Sequence, residues 1–150
     1  MSTLSFRTAT KDDMPVIVAL LADDEIGENR EIAAVSDEYV KAFAAMEREH
    51  YNRMLLAEDA GKIVGCLQLA FVPGLSRKGT KRAVIESVRV AAAARGKSVG
   101  TALMKEAIRL AREGGCGLVQ LTSDNRRSRA HLFYRRLGFE QSHFGFKKEL

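Results

Sequence analysis

The run Ala83-Val84-Ile85-Glu86-Ser87-Val88-Arg89-Val90 is rich in β-branched residues and predicts a largely buried strand. After four alanines the chain continues with Arg95-Gly96-Lys97-Ser98-Val99-Gly100-Thr101. A helix is expected from about Val99 to Glu113, because apolar residues recur there at helical spacing. Residues 118–123 predict a second buried strand. A strand, a helix and a strand in this order require a parallel pair joined by a right-handed crossover.

Further strands and helices are predicted on both sides of this unit. They are a strand near 4–8, helices from about residue 14 and after Ser36, strands at 53–58 and 62–72, a short helix at 129–137, and final strands at Phe139 and 142–150. The fold class is therefore predicted as α+β, or mixed α/β. Its sheet would be mostly antiparallel, with about seven strands and about four flanking helices.

Length and composition indicate one globular domain that spans residues 1–150. The 150 residues are 46% hydrophobic and 29% charged, which excludes disorder, collagen and coiled coil as the main architecture. No apolar run approaches the roughly 18–20 residues of a membrane span, and no signal peptide is expected. Two cysteines form no disulfide framework, so a reduced cytoplasmic setting is expected.

The charge is divided unequally along the chain. Residues 1–60 carry a net charge of −7 and residues 61–150 a net charge of +12. This division indicates that one half meets a cationic group and the other an anionic one. Solvated surface charge distributed by chance is the alternative.

The start of the predicted helix at Val99 has the features of an anion-binding site. A helix N-terminus presents unpaired N–H groups, Gly96 and Gly100 let the backbone approach a ligand closely, and Arg95 and Lys97 add positive charge. A P-loop would need a further glycine five positions before Gly96, and the dinucleotide fingerprint has different glycine spacing. A phosphate compound is therefore expected here, with a ligand-free turn as the alternative.

Two motifs resemble those of the GNAT family of N-acetyltransferases. Val88-Arg89-Val90, followed by Arg95-Gly96-Lys97-Ser98-Val99-Gly100, is similar to the acetyl-CoA signature of that family. A second family pattern is matched by Ala130, Phe133-Tyr134 and Leu137-Gly138-Phe139. Ser98 replaces the usual first glycine and would need either negative φ or some strain. Arg127 stands where the family often has an asparagine, and Asn125 lies two residues early.

The resemblance implies acetyl-CoA as cosubstrate and no metal. In this family two parallel strands splay apart to admit the pantetheine arm, and here they would be residues 83–90 and 118–123. Backbone groups of the first strand would pair with the pantetheine amides, and one N–H would polarise the thioester carbonyl. The implied cofactor-binding residues are Val88, Arg89, Val90, Arg95, Gly96, Lys97, Ser98, Val99, Gly100, Thr101, Asn125, Arg127 and Arg129, with Arg126 as a further candidate for the 3′-phosphate. For the arginines near 126–129, a solvated helix N-terminus is the alternative.

Glu86 is the candidate base for direct attack by an amine on the thioester. It is the only acid between Asp59 and Glu106, and it lies in a strand expected to be buried. A partly buried carboxylate is a stronger proton acceptor, and it would act through water. An ion pair with Arg89 or Arg82 is the structural alternative.

Tyr134 is the candidate acid, because it stands at the family's tyrosine position and a phenol can protonate the leaving thiolate. A core tyrosine beside Phe133 is the alternative. Cys116 has no obvious base nearby in the sequence, so a covalent intermediate is not expected. The three histidines lack metal-ligand spacing.

The acceptor is expected to be a small-molecule or peptide amine. In this fold the loop after the first helix lines the acceptor side, and here it is acidic, with Asp23, Asp24, Glu25, Glu28 and Glu31. A cationic acceptor is therefore favoured. The edge strands would also suit a homodimer. Two other classes stay open: a CoA-binding module without turnover, and a basic nucleic-acid-binding protein, which the pI of about 9.4 motivates and sparse aromatic residues disfavour.

Overall fold

A computed structural model describes residues 4–23 and 34–150 of the chain. The strands in these ranges are β1 Leu4–Thr8, β2 Asn52–Asp59, β3 Lys62–Val72, β4 Arg82–Val90 and β5 Leu118–Leu121. The helices are α1 Met14–Ala22, α2 Asp37–Arg48, α3 Ser76–Gly79, α4 Val99–Glu113 and α5 Ser128–Arg136. None of the helices in the described ranges is long and apolar enough to cross a membrane.

The five strands form one sheet in the order β1-β2-β3-β4-β5, in which β1 to β4 pair antiparallel. The N–H of Gly117 donates a hydrogen bond of 3.0 Å to the carbonyl of Lys81, just before β5 and β4 begin. Both strands therefore start side by side and run in the same direction, with α4 as the connection. The predicted parallel pair and its helical crossover are confirmed.

The chain divides into two compact units, one ending at Gln120 and one spanning Leu121–Leu150. The first unit contains β1 to β4, most of β5 and the helices α1 to α4. The second contains α5 and the residues that follow it. That residues 1–150 form a single functional domain stays a prediction.

Neighbouring residues of β3 show how helices cover the two faces of the sheet. A Cβ atom on Gly65 would lie 3.6 Å from Leu103 of α4, whereas Cys66 packs in a cluster with Ile17 and Leu20 of α1. Successive residues of a strand point to opposite faces. The helix α4 therefore covers one face, and α1 and α2 cover the other.

The final strands predicted at Phe139 and 142–150 are wrong, because residues 137–150 form no strand. The sheet therefore has five strands instead of about seven. Alternating apolar and polar residues predict where side chains would point in a strand, but a strand also needs a partner for its backbone groups. The single chain supplies no such partner for residues 142–150 within its described part.

The helices in the described ranges number five, one more than expected. The additional helix, α3, is a single turn between β3 and β4, where no helix was predicted. Arg77 and Lys78 there have φ values of 55° and 60°, in the left-handed region. A short left-handed turn has no hydrophobic periodicity and so leaves no pattern in the sequence.

Candidate active site

A bulge in β4 sets the direction of the side chains around Glu86. Cys66 pairs with Arg89, and Gln68 pairs with Glu86. Between these two pairs, one residue of β3 faces two residues of β4. Ser87, the first of these two, has a φ of 57°, which is left-handed. Because paired residues point to the same side, Glu86 and Arg89 both face the side of the sheet that α1 covers.

Glu86 is exposed, so the expectation that it is partly buried is wrong. Ala83 and Ile85 are buried under α4, and alternation turns Glu86 to the other face, beyond the cover of the helices. Its cross-strand neighbour Gln68 is half-buried and donates a hydrogen bond of 2.9 Å to the side-chain oxygen of Asn52. A polar row therefore crosses β2, β3 and β4.

A cavity of about 260 Å³ lies where this polar row meets α2. Phe43, Met46 and Met54 give it an apolar lining, while Asn52 and Glu47 add polar groups. Its volume is close to the lower end, roughly 300 Å³, of known small-molecule sites. The cavity has room for one end of a small molecule, and Asn52 belongs both to its lining and to the polar row.

Sequence reasoning did not single out Gln68 and Asn52. A signal for Gln68 was present, because it is the one amide or charged side chain between residues 63 and 72 of an otherwise apolar strand. A lone polar residue in a buried strand is expected to have a specific partner. Asn52 carried no such signal, because it lies at the start of β2, where polar residues are common.

The outer part of β4 has an open edge on the side of β5. The two strands start together at Lys81 and Gly117, but β5 ends at Leu121, whereas β4 continues to Val90. Counting from the common start, β5 accompanies β4 only to about residue 85. No other strand in the described residues lies next to β4 on this side. The backbone groups of Val88 and of the residues after it can therefore pair with an extended ligand.

The connection from β4 to α4 is a strained loop that exposes the helix N-terminus. Gly96 and Ser98 have φ values of 78° and 62°, and Val99 starts the helix. A Cβ atom on Gly96 would have nothing within 4 Å, so this glycine is required for its backbone conformation and leaves open space beside the loop. Ser98 therefore has a strained positive φ, because left-handed backbone at a residue with a Cβ costs about 1 kcal/mol. The first-turn N–H groups of α4 have no acceptor within the helix, as an anion site needs.

The side chain of Arg95 joins this loop to the end of α1. Its Nε donates a hydrogen bond of 3.3 Å to the carbonyl of Val90, and its Nη2 lies 3.6 Å from a carboxylate oxygen of Asp23. Lys97 lines a second cavity, of about 200 Å³, beside Lys62. The other acids of the predicted acceptor loop lie outside the described residues, namely Asp24, Glu25, Glu28 and Glu31.

In the second unit, a turn precedes α5 and carries the other predicted phosphate-binding residues. Asn125 is exposed in this turn, Arg127 is half-buried at the N-cap, and Arg129 is exposed in the first helical turn. Arg126 forms a salt bridge of 2.8 Å with Asp124 and holds the pKa of that carboxyl below its usual range. Arg126 is thus already paired with an acid, whereas Arg129 presents its charge to solvent.

Tyr134 is half-buried in an aromatic cluster of the second unit. Its ring centroid lies 5.2 Å from that of Phe133 and 6.0 Å from that of Phe139, both in edge contacts. The N–H of Phe139 also donates a hydrogen bond of 3.1 Å to the carbonyl of Tyr134. The packing fixes the position of the phenol ring, and its role as a proton donor stays a prediction.

Neither cysteine is in a setting that activates a thiol. Cys66 is buried, and burial raises the pKa of its thiol to about 12. Partial burial also raises the pKa of Cys116. Thiols with a raised pKa remain protonated and are poor nucleophiles, which agrees with the expected absence of a covalent role for Cys116. The described residues also contain no group of three or more His, Cys, Asp or Glu side chains placed to hold a metal ion.

The fold and these motifs are those of an acyltransferase. Comparison with known proteins identifies the family. The profile of the acetyltransferase (GNAT) family matches residues 17–139, and the chain belongs to this family. The predicted family, the fold class and the assignment as an acetyltransferase are therefore confirmed. Members of this family use acetyl-CoA.

Three relatives illustrate the similarity. The chain is 32% identical over 151 residues to the aminoalkylphosphonate N-acetyltransferase of Salmonella typhimurium, a match that covers 100% of this chain and 94% of that protein. Among solved structures, a transcriptional regulator from Bacillus halodurans is 41% identical with a TM-score of 0.95, covering 99% of this chain and 100% of the other. An acetyltransferase from Trypanosoma brucei is 26% identical with a TM-score of 0.79, again covering 99% and 100%.

Proposed function

We propose that this acetyltransferase moves the acetyl group from acetyl-CoA to a primary amine by direct attack of the amine nitrogen on the thioester carbon. The observation that carries the proposal is the continuity of two features in the first unit. The open edge of β4 at residues 88–90 leads through a short connection to the strained loop at the N-terminus of α4. An extended amide-containing arm fits the first, and a pyrophosphate fits the second.

The open edge of β4 and the loop before α4 each have a proposed role. Backbone groups of Val88 and Val90 hold the pantetheine arm, and an N–H of this edge polarises the thioester carbonyl as charge develops on its oxygen. The loop from Arg95 to Thr101 holds the pyrophosphate, with the first-turn N–H groups of α4 as donors. Arg127, Arg129 and Asn125 are the candidates for the remaining contacts with the nucleotide end.

Proton transfers complete the reaction. Glu86 takes a proton from the ammonium form of the acceptor through a water molecule, which its exposure allows. The amine nitrogen then forms the new C–N bond while the C–S bond breaks, and the nitrogen releases its second proton to solvent. Tyr134 supplies a proton to the departing sulfur and regains one from solvent.

The acceptor is proposed to be a small molecule with a primary amine. Support comes from the cavity beside α2, whose size limits it to a small group, and from the polar row of Asn52 and Gln68 that leads to Glu86. The relative from Salmonella typhimurium is named for aminoalkylphosphonates, which combine an amine with an anionic group. A purely cationic acceptor, which the acidic loop favours, is the alternative.

A thermal-stability assay with acetyl-CoA tests the cofactor assignment directly. A ligand at roughly 100 times its dissociation constant should add about 2.7 kcal/mol to the free energy of unfolding. Replacement of Gly100 by Leu should abolish this gain, because the side chain would fill the space of the pyrophosphate. Leu75→Ser changes an exposed side chain outside the loop from Arg95 to Thr101. This variant is the control and should keep the gain in stability. An unchanged melting temperature of the wild-type protein with acetyl-CoA would contradict the assignment.

An amine panel with mass detection of the acetylated product tests turnover and acceptor class. It should contain 2-aminoethylphosphonate, its uncharged-tail analogue ethylamine, putrescine, and a lysine-containing peptide. Product from a small amine supports the proposal, and the preferred member identifies the charge of the acceptor tail. Stabilisation by acetyl-CoA without product from any amine would indicate a CoA-binding module instead.

A further inference from the structure

The cavity beside α2 combines an apolar lining with two carboxylates. Phe43, Met46 and Met54 supply the apolar side chains, and Glu47 and Glu49 are the acids. All of these residues belong to the first unit of the chain. Apolar side chains favour the burial of methylene groups, and a carboxylate attracts a cation. The lining is therefore suited to an alkyl chain that ends in an ammonium group.

The lining offers little to an anionic group. Among the described residues that line the cavity, only Arg53 is positively charged. Its guanidinium lies 3.7 Å from the centre of the Tyr51 ring, which stacks on Phe71. Asn52, the neighbour of Arg53 along β2, is hydrogen bonded to Gln68 on the opposite face of the sheet. A phosphonate or carboxylate in the cavity would therefore meet two glutamates, while the arginine is directed to the other face.

The register of the sheet sets the distance from the cavity to Glu86. Met54 pairs with Gln68, and Gln68 pairs with Glu86, so the three side chains form one row on one face of the sheet. Neighbouring strands lie roughly 4.8 Å apart, so the backbones of Met54 and Glu86 are separated by about 10 Å. An extended chain advances roughly 1.2 Å per bond, so about eight bonds span this row. Eight bonds between two amine nitrogens correspond to about seven methylene groups.

We propose that the acceptor is a linear diamine with about seven methylene groups between its nitrogens, an inference that rests on the proposed function. One nitrogen lies near Glu86 and is acetylated. The alkyl chain crosses the uncharged amide of Gln68 into the cavity, and the second nitrogen, as an ammonium group, lies beside Glu47 and Glu49. The acetyl group forms an amide at the first nitrogen, CoA leaves as its thiol, and one proton passes to solvent. The second nitrogen keeps its proton throughout.

Three amines of similar length separate the charge of the tail from its size: 1,7-diaminoheptane, heptylamine and 7-aminoheptanoate. After division by two for its equivalent nitrogens, kcat/KM of the diamine should exceed that of heptylamine by about two- to fivefold, and 7-aminoheptanoate should be the poorest acceptor. From 1,3-diaminopropane to 1,7-diaminoheptane, kcat/KM should rise roughly fourfold for each methylene group that enters the cavity. The differences should lie in KM, because contacts with the tail are the same before and during the reaction. A preference for 7-aminoheptanoate or 2-aminoethylphosphonate, or equal values along the diamine series, would overturn the proposal.

The double variant Glu47→Gln, Glu49→Gln removes both carboxylates of the cavity and keeps the size of the side chains. The ratio of kcat/KM for 1,7-diaminoheptane to that for heptylamine should fall toward two, the value that two equivalent nitrogens give. A ratio between two substrates cancels any general loss of activity in the variant. Glu113→Gln removes an acid at the end of α4 and should keep the wild-type ratio. An unchanged ratio in the double variant would show that the two glutamates do not hold the tail and would overturn the proposal.

Calorimetric titration separates this inference from the proposed function. With CoA present and no acetyl group to transfer, 1,7-diaminoheptane should bind the wild-type protein more tightly than 1,3-diaminopropane does. Binding in this order without acetylation of any amine would contradict the proposed function and leave the diamine site supported. Acetylation of other amines without binding of 1,7-diaminoheptane would overturn the diamine site and leave the proposed function supported.

Discussion

Gln68 on β3 lies directly opposite Glu86 on β4, and the amide of Gln68 is hydrogen bonded to Asn52 at 2.9 Å. The glutamine is therefore held in place by a neighbour and adds no charge beside the carboxylate. An Nε2 group has two N–H bonds, and only one of them is directed to Asn52. The other can orient a water molecule beside Glu86, which fits a base that acts through water.

Replacement of Glu86 by Gln should lower kcat/KM by about 10²–10⁴-fold, because the shape is kept and the proton acceptor is lost. The loss should shrink at high pH, where the amine arrives already deprotonated. Initial rates from pH 6 to pH 10 measure both effects. Glu113→Gln removes an exposed acid at the end of α4 and should behave as the wild type. A pH–rate profile of Glu86→Gln identical to that of the wild type would assign Glu86 a structural role.

Ser98→Gly should raise the free energy of unfolding by up to about 1 kcal/mol, because it relieves the left-handed backbone at a residue with a Cβ. The serine makes no side-chain cap hydrogen bond that would be lost. Gly96→Ala is the matched opposite: its φ is 78° and its Cβ would meet nothing within 4 Å, so only backbone strain is added. Urea denaturation should therefore shift in opposite directions for the two variants. Equal shifts would show that the loop is not strained at these residues.

Acid lability should arise in part from Asp13, a carboxylate at the start of α1. Arg7 binds it with two hydrogen bonds of 2.8 Å, and together with the N–H of Thr10 this holds the pKa of Asp13 at about 2, below its ordinary 3.8. Because the folded state binds the proton less readily, the stabilisation is present above pH 4 and is lost as the pH falls through 2. After allowance for the half-exposed arginine, it amounts to about 1–2 kcal/mol.

Asp13→Asn should therefore be less stable than the wild type at pH 7, and the difference should disappear near pH 2. Urea denaturation at several pH values measures this convergence. The exposed Asp12, next to it in sequence, provides the control Asp12→Asn, which should lose little at any pH. A stability difference for Asp13→Asn that is independent of pH would exclude this linkage.

The sequence predicted most of the fold because its helices and strands are strongly periodic. The strand at 62–72 and the helix at Val99–Glu113 have the predicted bounds, and the loop between β4 and α4 lies where the sequence placed it. The bulge at Ser87 could not be predicted, because a single left-handed serine has no composition signal. The exposure of Glu86 depends on where the helices end across the sheet, which no local pattern contains. Phe144 and Phe146 gave a strand pattern, but a strand also needs a partner for its backbone, which no local pattern contains.

Tyr134→Phe separates proton donation from packing, because the two side chains differ only by the hydroxyl. The edge contacts with Phe133 and Phe139 should persist, so the melting temperature and the affinity for CoA should change little. Expulsion of the thiolate without an acid should be slower, and kcat should fall within the roughly 10²–10⁴-fold range of one general acid. Removal of the phenol should flatten only the alkaline limb of the pH–rate profile, since the acidic limb reports the base. Tyr51→Phe, on a ring stacked on Phe71 in the first unit, is the matched control and should keep the wild-type kcat. A Tyr134→Phe variant with wild-type kcat, when chemistry is shown to be rate-limiting, would leave water as the proton donor.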